Sequence, residues 1–280
     1  MQDTADLTGR WAGFLSKIDE RFQETLSQAQ TILPQLLDYQ QFDTVPFANA
    51  WSGIESQAKA LIAKIGDTWQ QTVSVSWEAF RDDEETRLAE DGEALEPFQE
   101  RFYGIYYAEQ EKGRRLMRQL EKDLRTYEIR TFAEAGKKLA AKARENLSAD
   151  FCCTQCQAPL PVQEHFYRSY YQACHYCQCT NTFEPGTVAR MVEHFAVGPM
   201  AEEQALDAYW PYWELLQQWK DQGEDGVPLV TKDAVLQAYT TYIEVFLNAR
   251  IKMIPVYQER YEADRNAKIA WLRKYTLDAN

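Results

Sequence analysis

The sequence predicts a mainly α protein, an elongated bundle of long antiparallel helices with one small inserted β element. Three observations predict it. Apolar residues recur every three or four positions over most of the chain, the pattern of one buried helix face. The connections between those stretches are short, which favours antiparallel neighbours. All six cysteines fall in one stretch, FCCTQCQAPLPVQEHFYRSYYQACHYCQC (151–179), where the helical pattern breaks. The expected organisation is an N-terminal long-helix region (1–150), a cysteine insert (151–185) and a C-terminal helical region (186–280) that packs with the N-terminal helices.

The first helix is expected over 7–39, where Trp11, Leu15, Ile18, Phe22, Leu26, Ala29, Leu33 and Leu36 share a face. Pro34 should kink its last turns, and QFDTVP reads as a turn. A second helix carries Trp51, Ile54, Ala58, Leu61, Ile65, Trp69, Val73 and Trp77, with Gly53 and Gly66 costing about 1 kcal/mol each if exposed. The acidic text RDDEETRLAEDGEALEP (81–97) reads as a solvated connection with some helix of its own. After Pro97 a very long helical pattern runs from Phe98 through Phe102, Leu120, Phe132 and Leu139 to Ala143, as one helix or two. Beyond the cysteines, EPGTVARMVEHFAVGP reads as a short helix capped by Thr187 and stopped by Gly198 and Pro199. A helix through Leu206, Trp210, Trp213 and Leu216 follows, then the loop DQGEDGVP. Thr231 and Asp233 open the last long helix, which Pro255 should bend. The apolar spacing drifts from a strict heptad and admits many aromatics, so ordinary globular packing is expected over a coiled coil.

Composition narrows the function classes. With 45% hydrophobic and 13% aromatic residues the chain has material for a core. A formal net charge of −13 repels phosphate backbones and anionic lipid, so any nucleic-acid role would have to be local. No segment approaches the roughly 18 apolar residues of a membrane span, and MQDTADLTGR lacks the basic and apolar regions of a signal peptide. The expectation is a cytoplasmic protein without membrane insertion. In a reducing compartment, clustered cysteines are metal ligands or redox groups more often than disulfides.

Cys153-x2-Cys156 and Cys174-x2-Cys177 have the spacing of a four-cysteine zinc site. Each CxxC turn presents two thiolates on one side of a tight knuckle, and two knuckles complete a tetrahedron around Zn²⁺. Between them EHFYRSYYQA can alternate as a strand. CTQCQAPL and CHYCQCTNTF resemble the two knuckles of the zinc-ribbon superfamily, over residues 151–185 only. The resemblance implies that Cys153, Cys156, Cys174 and Cys177 are the ligands and that Cys152 and Cys179 are spare thiols. This sequence departs from the family in carrying Gln157 and Gln178 where glycine is common. Four thiolates saturate the ion, so a structural zinc is expected rather than a catalytic one. A dithiol redox centre lacks a flanking βαβ pattern, and a di-iron bundle lacks Glu-x-x-His pairs before His165, His175 or His194. Covalent haem would need His after a CxxC.

Other residues carry weaker signals. His165 and His194 follow Glu164 and Glu193, but adjacent side chains diverge, and surface histidines are the expectation. No hydrolase elbow, phosphate loop or metalloprotease motif is present, so no catalytic or cofactor-binding residues are assigned. Between Lys112 and Arg144 lie eleven basic residues (Lys112, Arg114, Arg115, Arg118, Lys122, Arg125, Arg130, Lys137, Lys138, Lys142, Arg144) against four acidic ones. They read first as solvated or paired faces and second as a nucleic-acid stripe. The aromatics of AYWPYWELLQQW read as core. In the insert, alternation would set Tyr167 and Tyr171 on one face and Phe166 and Tyr170 on the other, with one pair displayed. The expected role is a zinc-binding helical scaffold for a protein partner of unknown identity; the alternatives are a nucleic-acid-binding accessory protein and an enzyme with dispersed residues. The sequence leaves the oligomeric state open.

Overall fold

The computed structural model describes residues 4–221 and 228–278, so most of the expected loop DQGEDGVP lies outside the described residues. The protein is mainly α with a small β insert. Helices α1 (Thr4–Ile32), α2 (Val45–Thr68), α3 (Ser74–Asp91) and α4 (Glu96–Asp150) precede strands β1 (Tyr170–Ala173) and β2 (Thr180–Phe183). Helices α5 (Gly186–Gln204), α6 (Leu206–Lys220), α7 (Lys232–Met253) and α8 (Tyr261–Leu272) follow. Two compact units arise, one from residues 1–36 and 45–127, the other from 37–44 and 128–280, with the division falling inside α4.

The first unit is built on aromatic contacts. Trp11, 1% exposed, meets Trp69 with ring centroids 5.3 Å apart, and Trp69 meets Tyr106 at 5.3 Å. The Trp11 indole N–H donates to the Glu109 carbonyl at 2.9 Å. A π turn at Trp69–Val73 joins α2 to α3. A straight helix would set Trp69 and Trp77 about 80° apart, and one extra residue in the wide turn brings them back to one face. Both then contact Tyr106. Pro34 sits in a 3₁₀ turn, Leu33–Leu36, immediately after α1 ends.

Two expectations about helix extent are corrected. The acidic text after Arg81 is mostly exposed but carries more helix than expected: α3 continues to Asp91, and Gly92 closes it in the left-handed conformation (φ 72°). Arg87 lies between Glu84 and Asp91 at 2.9 and 3.2 Å, which relieves the repulsion that argued against helix. Helix α5 neither takes a cap from Thr187 nor stops at Pro199; it runs to Gln204. An internal proline costs about 3 kcal/mol. Val197 and Ala201 are buried on either side of it and offset that cost, the valine side chain by about 1.5–3 kcal/mol and the alanine methyl by about 0.8 kcal/mol. The long pattern after Pro97 is a single helix of 55 residues.

In the second unit α5, α6 and α7 share a core of Ala201, Ala205, Tyr212, Val235, Ile243 and Phe246. The aromatics of α6 serve it as expected: Tyr212 lies 4.8 Å from Tyr239 and Tyr209 lies 5.2 Å from Tyr242. Helix α4 approaches α5 closely at Gly136, where a Cβ would stand 2.9 Å from Ala196 Cα and Cβ. Thr231 caps α7 by accepting the Ala234 N–H at 3.2 Å. Pro255 does more than bend the last long pattern: α7 stops at Met253 and a 3₁₀ turn, Pro255–Arg260, separates it from α8.

Candidate metal centre

The end of α4 delivers the chain into the cysteine module. The two knuckles share one backbone pattern. The Cys153 N–H donates to the Ala158 carbonyl at 2.8 Å, and the Gln157 N–H returns to the Cys153 carbonyl at 2.9 Å. In the second knuckle Cys174 N–H donates to Cys179 O, and Gln178 N–H to Cys174 O, both at 2.9 Å. Such tight closure requires a left-handed residue after the second cysteine, and Gln157 (φ 61°) and Gln178 (φ 62°) supply it. The glutamines therefore keep the turn for which glycine would be the unstrained residue.

This closure gathers the Sγ atoms of Cys153, Cys156, Cys174 and Cys177 within 4.8 Å of one another. Cys153 Sγ lies 3.5 Å from Cys177 Sγ, and Cys156 Sγ lies 3.6 Å from Cys174 Sγ. These separations are far beyond the roughly 2.05 Å of a disulfide, and all six cysteines are free. A tetrahedral ion with metal–sulfur bonds of about 2.3 Å sets its sulfurs about 3.8 Å apart, so the four thiols fit such an ion and could hold it. Cys153 and Cys174 are buried, Cys177 is half-buried and Cys156 is exposed.

Electrostatics inside the cluster divide the thiols. Backbone N–H groups of Cys156 and Gln155, with help from Cys177 and Asn181, bring Cys153 down to about 6 against the effect of burial. The N–H groups of Cys177 and Tyr176 lower Cys174 in the same way. Cys156 and Cys177 move upward: the N–H groups of Ala158 and Cys179 favour their thiolates, but burial and the neighbouring sulfurs outweigh them, and Cys177 is pushed up to about 12. Like charges packed this closely do not all ionise unless a cation balances them.

The strands lock one knuckle to the other. β1 and β2 pair antiparallel in the register Tyr170↔Phe183 to Ala173↔Thr180, and Cys152 makes an isolated bridge with Pro159. Asn181, 2% exposed, reaches across from β2. Its side-chain oxygen accepts the Thr154 N–H at 2.9 Å and the Thr154 hydroxyl at 3.1 Å. Its amide donates to the Cys179 carbonyl at 2.9 Å and lies 3.6 Å from Cys153 Sγ. Sequence reasoning missed Asn181, although alternation in TNTF sets it on the same face as the apolar Phe183. On the sheet face that Asn181 shares with Phe183, the rings of Phe151, Tyr170 and Phe183 pack together, with Tyr170 and Phe183 stacked at 4.8 Å.

The remaining candidates are placed differently from expectation. The predicted strand EHFYRSYYQA is strand only from Tyr170; residues 164–167 form turns. Alternation therefore does not apply at Tyr167, which is buried against Phe166, while Tyr171 is 78% exposed. The displayed aromatics are Tyr171 and Tyr176, the latter 70% exposed beside His175. Cys152 and Cys179 are half-buried, and Cys179 packs against the Cys153, Leu160 and Cys174 cluster. His165 Nδ1 bonds the Met253 carbonyl at 2.8 Å. Glu193 is engaged away from its neighbour His194. It receives both Arg168 N–H groups, one of them at 2.6 Å, and the Tyr257 hydroxyl at 2.6 Å. Cations of the basic run form ion pairs, among them Lys112 with Glu109, Arg115 and Arg118 with Glu111, Lys137 with Glu203, Lys138 with Glu134 and Lys142 with Glu145.

No protein family, curated protein or solved structure matches the chain. Fold and site together define a mainly helical protein carrying a four-cysteine module able to hold a metal ion. Among the described residues no helix is long and apolar enough to cross a membrane.

Proposed function

We propose that the protein is a helical scaffold whose cysteine module is a zinc ribbon, held by a structural Zn²⁺ on Cys153, Cys156, Cys174 and Cys177, and that the ribbon presents a surface to a protein partner. The observation that carries this reading is the four-sulfur cluster within 4.8 Å. Four thiolates fill a tetrahedral ion and leave no position for water or substrate, which favours structure over catalysis. Zinc binding in small fingers contributes about 10–16 kcal/mol, enough to fix a module with so little core of its own. The partner role rests on Tyr171 and Tyr176, the two large aromatics that the module exposes, since tyrosines often dominate interface energy.

Two measurements test it. Elemental analysis of the full-length protein should give about one zinc per chain, lost in Cys174→Ser, with the cobalt-substituted protein showing thiolate-to-metal absorption of a tetrahedral site. Iron in place of zinc, or no metal with cycling disulfides, overturns the metal assignment. For the surface, Tyr171→Ser/Tyr176→Ser should keep its zinc yet fail to recover the partner that the parent captures from its host. Equal recovery by the variant overturns a ribbon-centred interface.

A further inference from the structure

The second unit contains a cavity of about 390 Å³ that neither the metal site nor the exposed tyrosines use. Its size lies within the roughly 300–1,000 Å³ of small-molecule sites. Four segments build it: one face of α4, the 164–167 turn, the end of α5 and the last turn of α7. Ala140, Ala141, Phe166 and Met200 give it an apolar floor.

Its charge is opposite to that of the protein. Lys137 and Arg144 from α4 and Lys252 from α7 line it, against Glu164 as the one lining acid. Lys137 is already paired with Glu203 at 2.5 Å, whereas Arg144 and Lys252 make no ion pair among the described residues. His165 adds a polar group. A carbonyl oxygen can only accept, so Nδ1 carries the proton that bonds Met253. Two uncompensated cations on separate helices, over an apolar floor, make a local attraction for anions in a chain of net charge −13.

We propose that this cavity binds a small amphipathic anion, with its carboxylate or phosphate head on Arg144 and Lys252 and its apolar body on Ala140, Ala141 and Met200. An arginine fork matches the oxygens of either head group, and Lys252 adds a point charge. This goes beyond the scaffold reading and does not depend on the ribbon's partner.

Calorimetric titration of the full-length, metal-loaded protein with phenylacetate and with phenyl phosphate tests the proposal and identifies the head group. At least one should saturate a single site per chain with Kd of about 1 mM or tighter, and 2-phenylethanol, which lacks the charge, should not bind. Arg144→Gln and Lys252→Gln, both at exposed positions, should each weaken binding about tenfold with unchanged helical circular dichroism. Lys138→Gln, whose lysine pairs with Glu134 outside the cavity, should leave it unchanged. Saturation by neither anion, equal binding of the alcohol, or parent-like binding by both glutamine variants overturns the proposal.

Discussion

Gln157 and Gln178 hold the same left-handed backbone, φ 61° and 62°, one in each knuckle of the four-cysteine cluster. For a residue with a Cβ this conformation costs about 1–2 kcal/mol, and closure of the four-sulfur cluster holds it there. Gln157→Gly and Gln178→Gly should therefore each stabilise the metal-loaded module by about 0.5–1 kcal/mol after the glycine's extra unfolded entropy. Gln157→Val should weaken it by about 1–2 kcal/mol, since a β-branched side chain tolerates positive φ least. Metal competition with a colorimetric chelator ranks the variants. A glycine variant that releases metal faster than the parent would show that the glutamine side chains themselves support the site.

Asn181 binds both knuckles through one buried side chain. Asn181→Ala leaves the Thr154 N–H and the Cys179 carbonyl without this partner, at a cost of about 1–3 kcal/mol. Neighbours that orient metal ligands typically alter affinity by about 10–100-fold, so zinc affinity should fall in that range. Asn181→Leu, which restores volume without hydrogen bonds, should not rescue it. Full affinity in either variant would remove Asn181 from the site.

Gly136 and Ala196 mark where α4 and α5 nearly touch. In Gly136→Ala the new methyl meets backbone, which cannot swing away, and overpacking of this kind costs about 1–3 kcal/mol. Its urea midpoint should drop despite the better helix propensity of alanine. Gly104→Ala supplies the contrast, because nothing lies within 4 Å of its added Cβ. It should gain up to about 1 kcal/mol.

Glu193 accepts from Arg168 and Tyr257, tying the 167–168 segment to α5 and to the 3₁₀ turn after α7. Burial pushes its carboxyl up, but the Arg168 and Tyr257 hydrogen bonds and the charges of Arg168 and Arg250 bring it below the ordinary value. An unfolded glutamate titrates near about 4.3, so the stabilisation is complete above that pH and fades as pH falls through the lower folded value. The melting-temperature gap between the parent and Glu193→Gln should be widest near neutrality and should close toward pH 3. Thiol protonation affects both proteins and cancels in the difference. A gap that stays constant or widens in acid would contradict the lowered carboxyl.

What the sequence determined by itself was whatever depends on spacing over a few residues. Two CxxC pairs named the four sulfurs, three-and-four periodicity named most of the helices, Thr231 named a cap and Pro255 marked a disturbance, because each acts through its own turn of backbone. Only the tertiary structure decided the rest. Tyr167 is buried though its text alternates, α5 passes through Pro199, the glutamines adopt a glycine's conformation, and Asn181 binds both knuckles. Arg144 and Lys252 come to line one cavity although far apart in the chain. The deciding energy comes from partners brought together by folding, from burial and from hydrogen bonds across the fold, and it outweighs the local preference that the text displays.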